Sequence, residues 1–261
     1  MMKMTTKMKK SLGILSVVFT TILLIAAVNR KSGAYVNEVI INVKKDKINK
    51  NFIGEDDIKK QILKGYGNSI RGILIKNLSL FNLEEIVETD PFVKNANVFI
   101  DANNNLHIEV DQRQPVLRII DNSGNNYYLD ENGIKMPISK LFAARVVVAT
   151  GNIPPYTTDF LQKENYTLKS LFQLNQIVEA DDFLRSLVSQ IHIDRKGDIL
   201  LIPIVGTQKI LVGDLSNIEH KIENLKKFYQ KVMPVEGWRK YNLINLKYKG
   251  QVVCKLENSS N

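Results

Sequence analysis

The stretch ETDPFVKNANVFIDANNNLHIEVDQRQPV, residues 88–116, decides how the chain can fold. Pro91 cannot continue a helix, so the pattern predicts that a preceding helix ends near Thr89 or Asp90. Two alternating strands follow, NANVFID and LHIEVDQ, and the turn ANNN between them is rich in residues that tolerate positive φ. A helix, a proline stop and a hairpin in succession indicate an α+β unit. The side chains predicted to face its core are Leu106, Ile108 and Val110.

The residues before this stretch complete a first unit, predicted to span residues 37–113. NEVIINV (residues 37–43) alternates as a strand, and GEDDIKKQIL (residues 54–63) opens with acidic residues that favour a helix N-terminus. In the next helix, Asn82 is the predicted N-cap and Glu85 occupies the reciprocal capping position. The order strand, helix, helix, strand, strand predicts a small sheet with two helices on one face.

A second unit is predicted over residues 114–257, followed by a tail at residues 258–261. Short alternating runs such as NYYLD and ILLIPIV predict about eight strands, mostly antiparallel. Residues 167–189 are predicted to form one helix. Residues 216–232 form another, with Ser216 and Glu219 as its predicted capping box. The pattern predicts an α+β fold in which helices pack on the sheet.

An apolar segment near the N-terminus, SLGILSVVFTTILLIAAV (residues 11–28), contains no charge and no proline. As a helix with a rise of about 1.5 Å per residue it just crosses a bilayer core of about 30 Å. A cleaved signal peptide is the alternative, but AAVNRK offers no good cleavage site. The segment is therefore predicted to be a single transmembrane helix, between a tail at residues 1–10 and a linker at residues 29–36.

The positive charge of the chain is concentrated around this segment. The net charge is +9, and residues 1–31 contain six basic residues and no acidic ones, so the remaining 230 residues carry only +3. The positive-inside rule places the N-terminus in the cytoplasm and residues after 28 outside it. The soluble part shows no clear basic face with stacking aromatics, which predicts no nucleic-acid partner.

The residues that most often carry chemistry are few. His107, His192 and His220 each lie opposite an apolar face and are predicted to be solvated. Cys254 is the one cysteine, so neither an internal disulfide nor a zinc knuckle can form. Asp181 and its neighbour Asp182 are predicted to start a helix, because adjacent helical residues do not face each other. These patterns predict no cofactor, metal or small-molecule substrate, and no enzyme.

The chain resembles the FtsQ/DivIB family of bacterial cell-division proteins over nearly its whole length. The order of tail, membrane helix, POTRA domain and β-domain is similar to that family. Residues 88–119 resemble its POTRA ending, with a helix stopped by a Pro-aromatic pair and a Q-R-x-P-V junction. YYLDENGIKMP and GWRKYNLINLKYKGQVVCK resemble the start and end of its β-domain. Phe92 stands where many relatives have tryptophan.

The resemblance implies a non-enzymatic scaffold in the cytoplasmic membrane at the division septum. Its implied partners are the coiled-coil proteins FtsB/DivIC and FtsL and the septal peptidoglycan synthase complex. The implied role is to restrain septal wall synthesis until the complex is complete. The alternative is an extracytoplasmic enzyme or assembly factor that carries a POTRA-like domain. Asp90, Pro91 and Phe92 are predicted to be structural, with Phe92 packed beneath the helix.

The closing segment YNLINLKYKGQVVCKLE (residues 241–257) is predicted to form a hairpin. Its last strand, residues 251–256, either closes the sheet or is an edge left open for another protein. The family resemblance implies the second, by β-augmentation with FtsB/DivIC. Val253 is predicted to face away from the set Val252, Cys254 and Leu256. The predicted partner-binding residues are Trp238, Tyr241, Tyr248, Gly250, Val252, Val253, Cys254 and Lys255.

Overall fold

The computed structural model describes residues 15–23, 33–45 and 51–257. Residues 15–23 are helical and exposed, and no helix of the described residues is long and apolar enough to cross a membrane. Both ends of the predicted membrane segment (residues 11–28) lie outside the described residues, as do both predicted tails. The transmembrane helix stays a prediction. The chain divides into two compact units between Gln112 and Arg113.

The first unit has the predicted strand, helix, helix, strand, strand order, as an open three-stranded sheet. Its elements are β1 (Val39–Lys44), α1 (Glu55–Tyr66), a 3-10 turn (Ile75–Asn77), α2 (Leu80–Glu88), β2 (Val93–Ile100) and β3 (Leu106–Gln112). The strand order is β1-β3-β2, with β1 parallel and β2 antiparallel to β3. Both helices bury apolar side chains against this sheet, and the predicted core positions of β3 are fully buried.

The second helix of this unit ends as predicted but starts earlier. It stops at Glu88 with Thr89 as its C-cap, just before Pro91. Its N-cap is Ser79, whose hydroxyl accepts a hydrogen bond from the N–H of Asn82 (3.2 Å), so the predicted Asn82 cap is wrong. The helix extends upstream because Leu80 already packs against the core. Phe92 also packs against this core, although it is only partly buried.

The described part of the second unit forms a nine-stranded sheet with four helices. Its elements are β4 (Pro115–Asp121), β5 (Asn126–Asp130), β6 (Lys135–Met136), β7 (Val147–Gly151), α3 (Thr167–Ala180), α4 (Asp182–Leu187), β8 (Val188–Ile193), β9 (Ile199–Pro203), β10 (Lys209–Gly213), α5 (Ile218–Lys231), α6 (Met233–Glu236), β11 (Tyr241–Asn245) and β12 (Val253–Leu256). The strand order is β12-β11-β10-β9-β8-β7-β4-β5-β6. Five neighbouring pairs are antiparallel and three are parallel, which confirms a mostly antiparallel sheet.

One face of this sheet forms a core with α3, α4 and α5. The predicted single helix at residues 167–189 is broken at Asp181, which has an extended backbone and accepts from the N–H groups of Phe183 and Leu184. The predicted helix-start role of Asp181 is therefore confirmed. The predicted Ser216 cap is wrong, because the N-cap of α5 is Asn217 in the left-handed region and the Ser216 hydroxyl bonds to Asp214.

Four hairpins of the described residues use the same type of turn. In each, an aspartate carboxylate accepts hydrogen bonds from the backbone N–H groups two and four residues later, at 2.7–2.9 Å, and the residue between these two has positive φ. The carboxylate therefore satisfies N–H groups that the tight turn would leave unpaired. The four aspartates are Asp101, Asp121, Asp130 and Asp194.

Candidate functional site

The last described strand, β12, lies at one end of the nine-stranded sheet. It pairs with β11, and no other described strand lies on its outer side. It begins at Val253, two residues later than predicted, because the chain turns first. In that turn Gly250 has a φ of +74° and the N–H of Gln251 donates to the carbonyl of Tyr248 (3.4 Å). A non-glycine residue rarely adopts this conformation, so Gly250 permits the hairpin to close.

Backbone hydrogen bonds show which groups of β12 face outward. The N–H of Glu257 donates to the carbonyl of Lys240 (2.9 Å), toward β11. Because successive residues of a strand direct their N–H and C=O groups to opposite sides, Lys255 and Val253 also face β11. The N–H and C=O groups of Cys254 and Leu256 therefore point to the open side.

The pairing of β11 supports the same assignment independently. The N–H of Leu246 donates to the carbonyl of Leu211 in β10 (2.9 Å). By alternation, Leu243 and Asn245 direct their backbone groups toward β12. Those two residues lie opposite Lys255 and Val253. The hydrogen bonds of β11 and of β12 thus give the same backbone directions. Val253 has an exposed side chain, but its N–H points toward β11.

The predicted site residues are distributed over the hairpin and its base. Val252 and Cys254 pack against the core, whereas Val253 is 41% exposed and faces away from them. Tyr248 is 52% exposed in the turn beside Gly250. Lys255 is exposed on the strand itself.

Two of the three aromatic candidates lie at or just before the start of β11. Tyr241 is opposite Leu256, and its ring centroid is 5.7 Å from that of Phe228. Trp238 is 45% exposed and makes an edge contact with Tyr229 at 5.8 Å. The structure therefore brings six candidates together on the strand and turn, and places Tyr241 and Trp238 at the other end of the hairpin.

Leu256 is a residue of the open edge that sequence reasoning missed. Alternation assigned it to the core-facing set with Val252 and Cys254, but it is 56% exposed. Its backbone also faces outward, so it offers a potential partner both hydrogen bonds and an apolar side chain. Alternation predicts the sheet face on which a side chain lies, but it does not predict whether other elements pack over that face. The sequence pattern therefore contained no signal for the exposure of Leu256.

Four lysines lie on this edge or around the adjacent turn. Lys247 pairs with Asp198 (2.8 Å) and Lys221 pairs with Asp214 (3.0 Å). Within the part of the chain that the structure describes, no carboxylate lies within 4.0 Å of the ammonium groups of Lys249 and Lys255. A cavity of about 280 Å³ lies between the start of α5 and the turn, and it is lined by His220, Lys249 and neighbouring residues.

Two histidines of the described residues have structural partners. The Nε2 atom of His107 lies 3.0 Å from Asp101, and the Nδ1 atom of His192 lies 2.8 Å from the hydroxyl of Thr150. Both rings are partly buried, so they are less solvated than predicted, whereas His220 is exposed. The N–H of Asn105 and the His107 ring lower the pKa of Asp101 to about 2. Among the described residues, no group of three or more His, Cys, Asp or Glu could hold a metal ion.

The family model described as FtsQ/DivIB, C-terminal related, matches residues 114–255, which is more than half of the chain. The chain belongs to the FtsQ/DivIB family. The match includes the whole hairpin turn and most of β12. Residues 35–111 match the model of a POTRA-like domain, in agreement with the observed order of elements.

Two relatives of this FtsQ/DivIB chain are named as cell-division proteins. Cell division protein DivIB of Clostridium acetobutylicum is 35% identical over 109 residues, which cover 41% of this chain and 39% of that protein. Cell division protein FtsQ of Rhodothermus marinus is 26% identical over 188 residues, which cover 69% of this chain and 68% of that protein. The chain thus matches less than half the length of the first relative.

Proposed function

We propose that this chain is a non-enzymatic, membrane-anchored scaffold of bacterial cell division that gathers partners at the septum. Membership of the FtsQ/DivIB family and the names of both relatives support a role in division. Residues 11–28 are the anchor, residues 1–10 are cytoplasmic, and the POTRA domain (residues 37–113) and β-domain (residues 114–257) lie outside. The excess of basic residues before the anchor supports this orientation.

The observation that carries the proposal is the open edge of β12. Outward N–H and C=O groups of Cys254 and Leu256 can form a ladder with an added strand, so the partner is an extended segment. Main-chain hydrogen bonds supply affinity, while Val253, Lys255 and Tyr248 present side chains that select the segment.

The family resemblance supports a choice of partner class. The proposed ligands of this edge are the coiled-coil division proteins FtsB/DivIC and FtsL, which connect it to the septal peptidoglycan synthase complex. The unpaired ammonium groups of Lys249 and Lys255 favour a segment that carries carboxylates beside its apolar residues. Binding would then weaken as the salt concentration rises, because exposed charges are screened.

Two proline variants of the full chain test the edge. Leu256→Pro removes an outward N–H and keeps the ladder with β11, so its melting temperature should stay near that of the wild type. Its affinity for purified FtsB/DivIC, measured in detergent, should fall at least about tenfold. Val253→Pro is the matched control, because it removes an internal ladder bond and should lower the melting temperature. A folded Leu256→Pro variant with unchanged affinity contradicts the proposal.

A truncation after Lys249 makes a second test of the same edge. It removes β12 and should abolish FtsB/DivIC binding. If the truncated chain folds and binds as the full chain does, β12 only closes its own sheet.

The anchor and orientation need a test of their own. A reporter that is active only outside the cytoplasm should be active when fused after Asn261 and inactive when fused at Met1. The reverse result would contradict the orientation. A mature chain whose first residue lies near Asn29 would instead show that residues 11–28 are a cleaved signal peptide.

A further inference from the structure

The open edge of β12 is self-complementary around Leu256. Glu257 lies just beyond β12, but its N–H still bonds to the carbonyl of Lys240, so the alternation continues and the side chains of Lys255 and Glu257 lie on the same face. They flank Leu256, whose N–H and C=O groups point outward and whose side chain is 56% exposed. When two copies pair antiparallel about a two-fold axis at one residue, the residue before that position in one copy lies opposite the residue after it in the other copy.

The two-fold axes possible on residues 253–257 differ in which side chains they place opposite each other. An axis at Lys255 places two like charges opposite each other, which is unfavourable. An axis at Cys254 places Val253 opposite a lysine. An axis at Leu256 places Lys255 opposite the partner's Glu257, and the reverse pair forms by symmetry. Only this register combines outward backbone groups with opposite charges.

We propose that a second copy of this chain pairs with β12 in that register, with Leu256 on the two-fold axis. Two main-chain hydrogen bonds join the two Leu256 residues, and two ion pairs join Lys255 to the partner's Glu257. Exposed edges otherwise pair indiscriminately, and this arrangement covers the edge specifically. The inference rests on the proposed function, since it assigns regulation to the same edge: self-pairing and binding of a division partner exclude each other.

Charge reversal in the full chain tests the register. In detergent at low salt, Lys255→Glu and Glu257→Lys each turn both attractive pairs into repulsive ones. Each variant should weaken self-association by about tenfold or more. The double variant K255E/E257K restores both pairs with the charges exchanged, so its association should return to the wild-type value. All four proteins share the N-terminal apolar segment, so any association through that segment is the same in each.

Two results of this experiment would overturn the proposal. One is a single variant that associates like the wild type. The other is a double variant that melts normally but stays as monomeric as the single ones. Melting curves of all four proteins show whether loss of association reflects unfolding, and these positions are exposed, so unfolding is not expected.

Cysteine cross-linking gives a second measurement of the same register. In the C254S/L256C variant, the two introduced thiols lie on the axis at a backbone separation that a disulfide can bridge, about 5.5 Å. Mild oxidation should link two copies of this variant and leave the wild type, with its thiol at Cys254, unlinked. A linked wild type with an unlinked variant contradicts the Leu256 axis. Neither experiment contains a division partner, so their failure would leave the proposed partner binding to be judged by its own test.

Discussion

The two edges of the nine-stranded sheet show opposite solutions to one problem. The β6 edge has two residues, and Met136 is fully buried there. Phe160 and Leu161 from a long loop approach Gly133 in the preceding turn, and the ammonium of Lys135 lies 4.6 Å from the ring centroid of Tyr127. The β12 edge has four residues and an exposed apolar end. The two-residue length of β6 and the burial of Met136 leave little of the first edge for pairing, and the second remains available.

The closed edge also depends on a buried ion pair. Arg113 donates a hydrogen bond to Asp130 (2.9 Å), and the Asp130 side chain is only 1% exposed. The same carboxylate accepts from the N–H groups of Asn132 and Ile134 in the turn between β5 and β6. The β6 edge is thus held from the beginning of the second unit, whereas the β12 turn rests on Gly250.

The largest effect should come from breaking this buried pair. Asp130→Ala leaves Arg113 and two turn N–H groups without their acceptor, which should lower the free energy of unfolding by about 3–5 kcal/mol. Asp194→Ala is the matched control, because it removes the same turn bonds without a buried arginine and should cost about 1 kcal/mol. Denaturant unfolding measures both. Equal losses in the two variants would show that the arginine pair adds nothing to the closed edge.

A second pair of variants compares the two edges by side-chain burial. Met136→Ala empties a fully buried position and should cost roughly 2–5 kcal/mol. Leu256→Ala at the open edge should change the free energy of unfolding by less than about 0.5 kcal/mol, because most of that side chain already contacts water. The check is thermal melting of both variants. A large loss at Leu256 would mean that something covers the edge in solution.

The smallest effect concerns Cys254, whose backbone faces outward while its side chain packs inward. Burial raises the pKa of the Cys254 thiol. At pH 8 its thiolate fraction is therefore below that of a free cysteine, and alkylation should be slower. Since the folded pKa is raised, the stability associated with the neutral thiol is present at lower pH and is lost as pH rises through the folded pKa. Alkylation rates against pH check this, and an alkylation midpoint below that of free cysteine would contradict the burial.

Much of each unit could be predicted from local pattern. The hairpin of β2 and β3 follows from alternation and a turn, and the stop before Pro91 follows from the missing N–H of proline. The order of the strands in the sheet could not be predicted from local pattern. The parallel pairing of β4 with β7 joins residues about thirty positions apart and has no local signal. Helix starts at Leu80 and Ile218 were misplaced because several nearby Ser and Asn residues can cap a helix.

The candidate site was predictable in position and less so in detail. Alternation correctly placed the side chain of Val253 on the other face of the sheet from Val252 and Cys254. The outward direction of the Leu256 N–H depends on the register with β11, which is shifted by a bulge between Tyr241 and Leu243. Replacing Phe92 by alanine would cost about 3–5 kcal/mol if its side chain were fully buried. It is partly buried, so the loss should be smaller.

Amide hydrogen exchange of β12 tests the central claim most directly. In the dilute full chain, the N–H groups of Val253, Lys255 and Glu257 should be protected by β11, while those of Cys254 and Leu256 exchange quickly. Adding purified FtsB/DivIC should slow exchange at Cys254 and Leu256 and leave the other three unchanged. Protection of Cys254 and Leu256 in the free monomer, or no slowing when the partner is bound, would contradict an open edge that accepts an added strand.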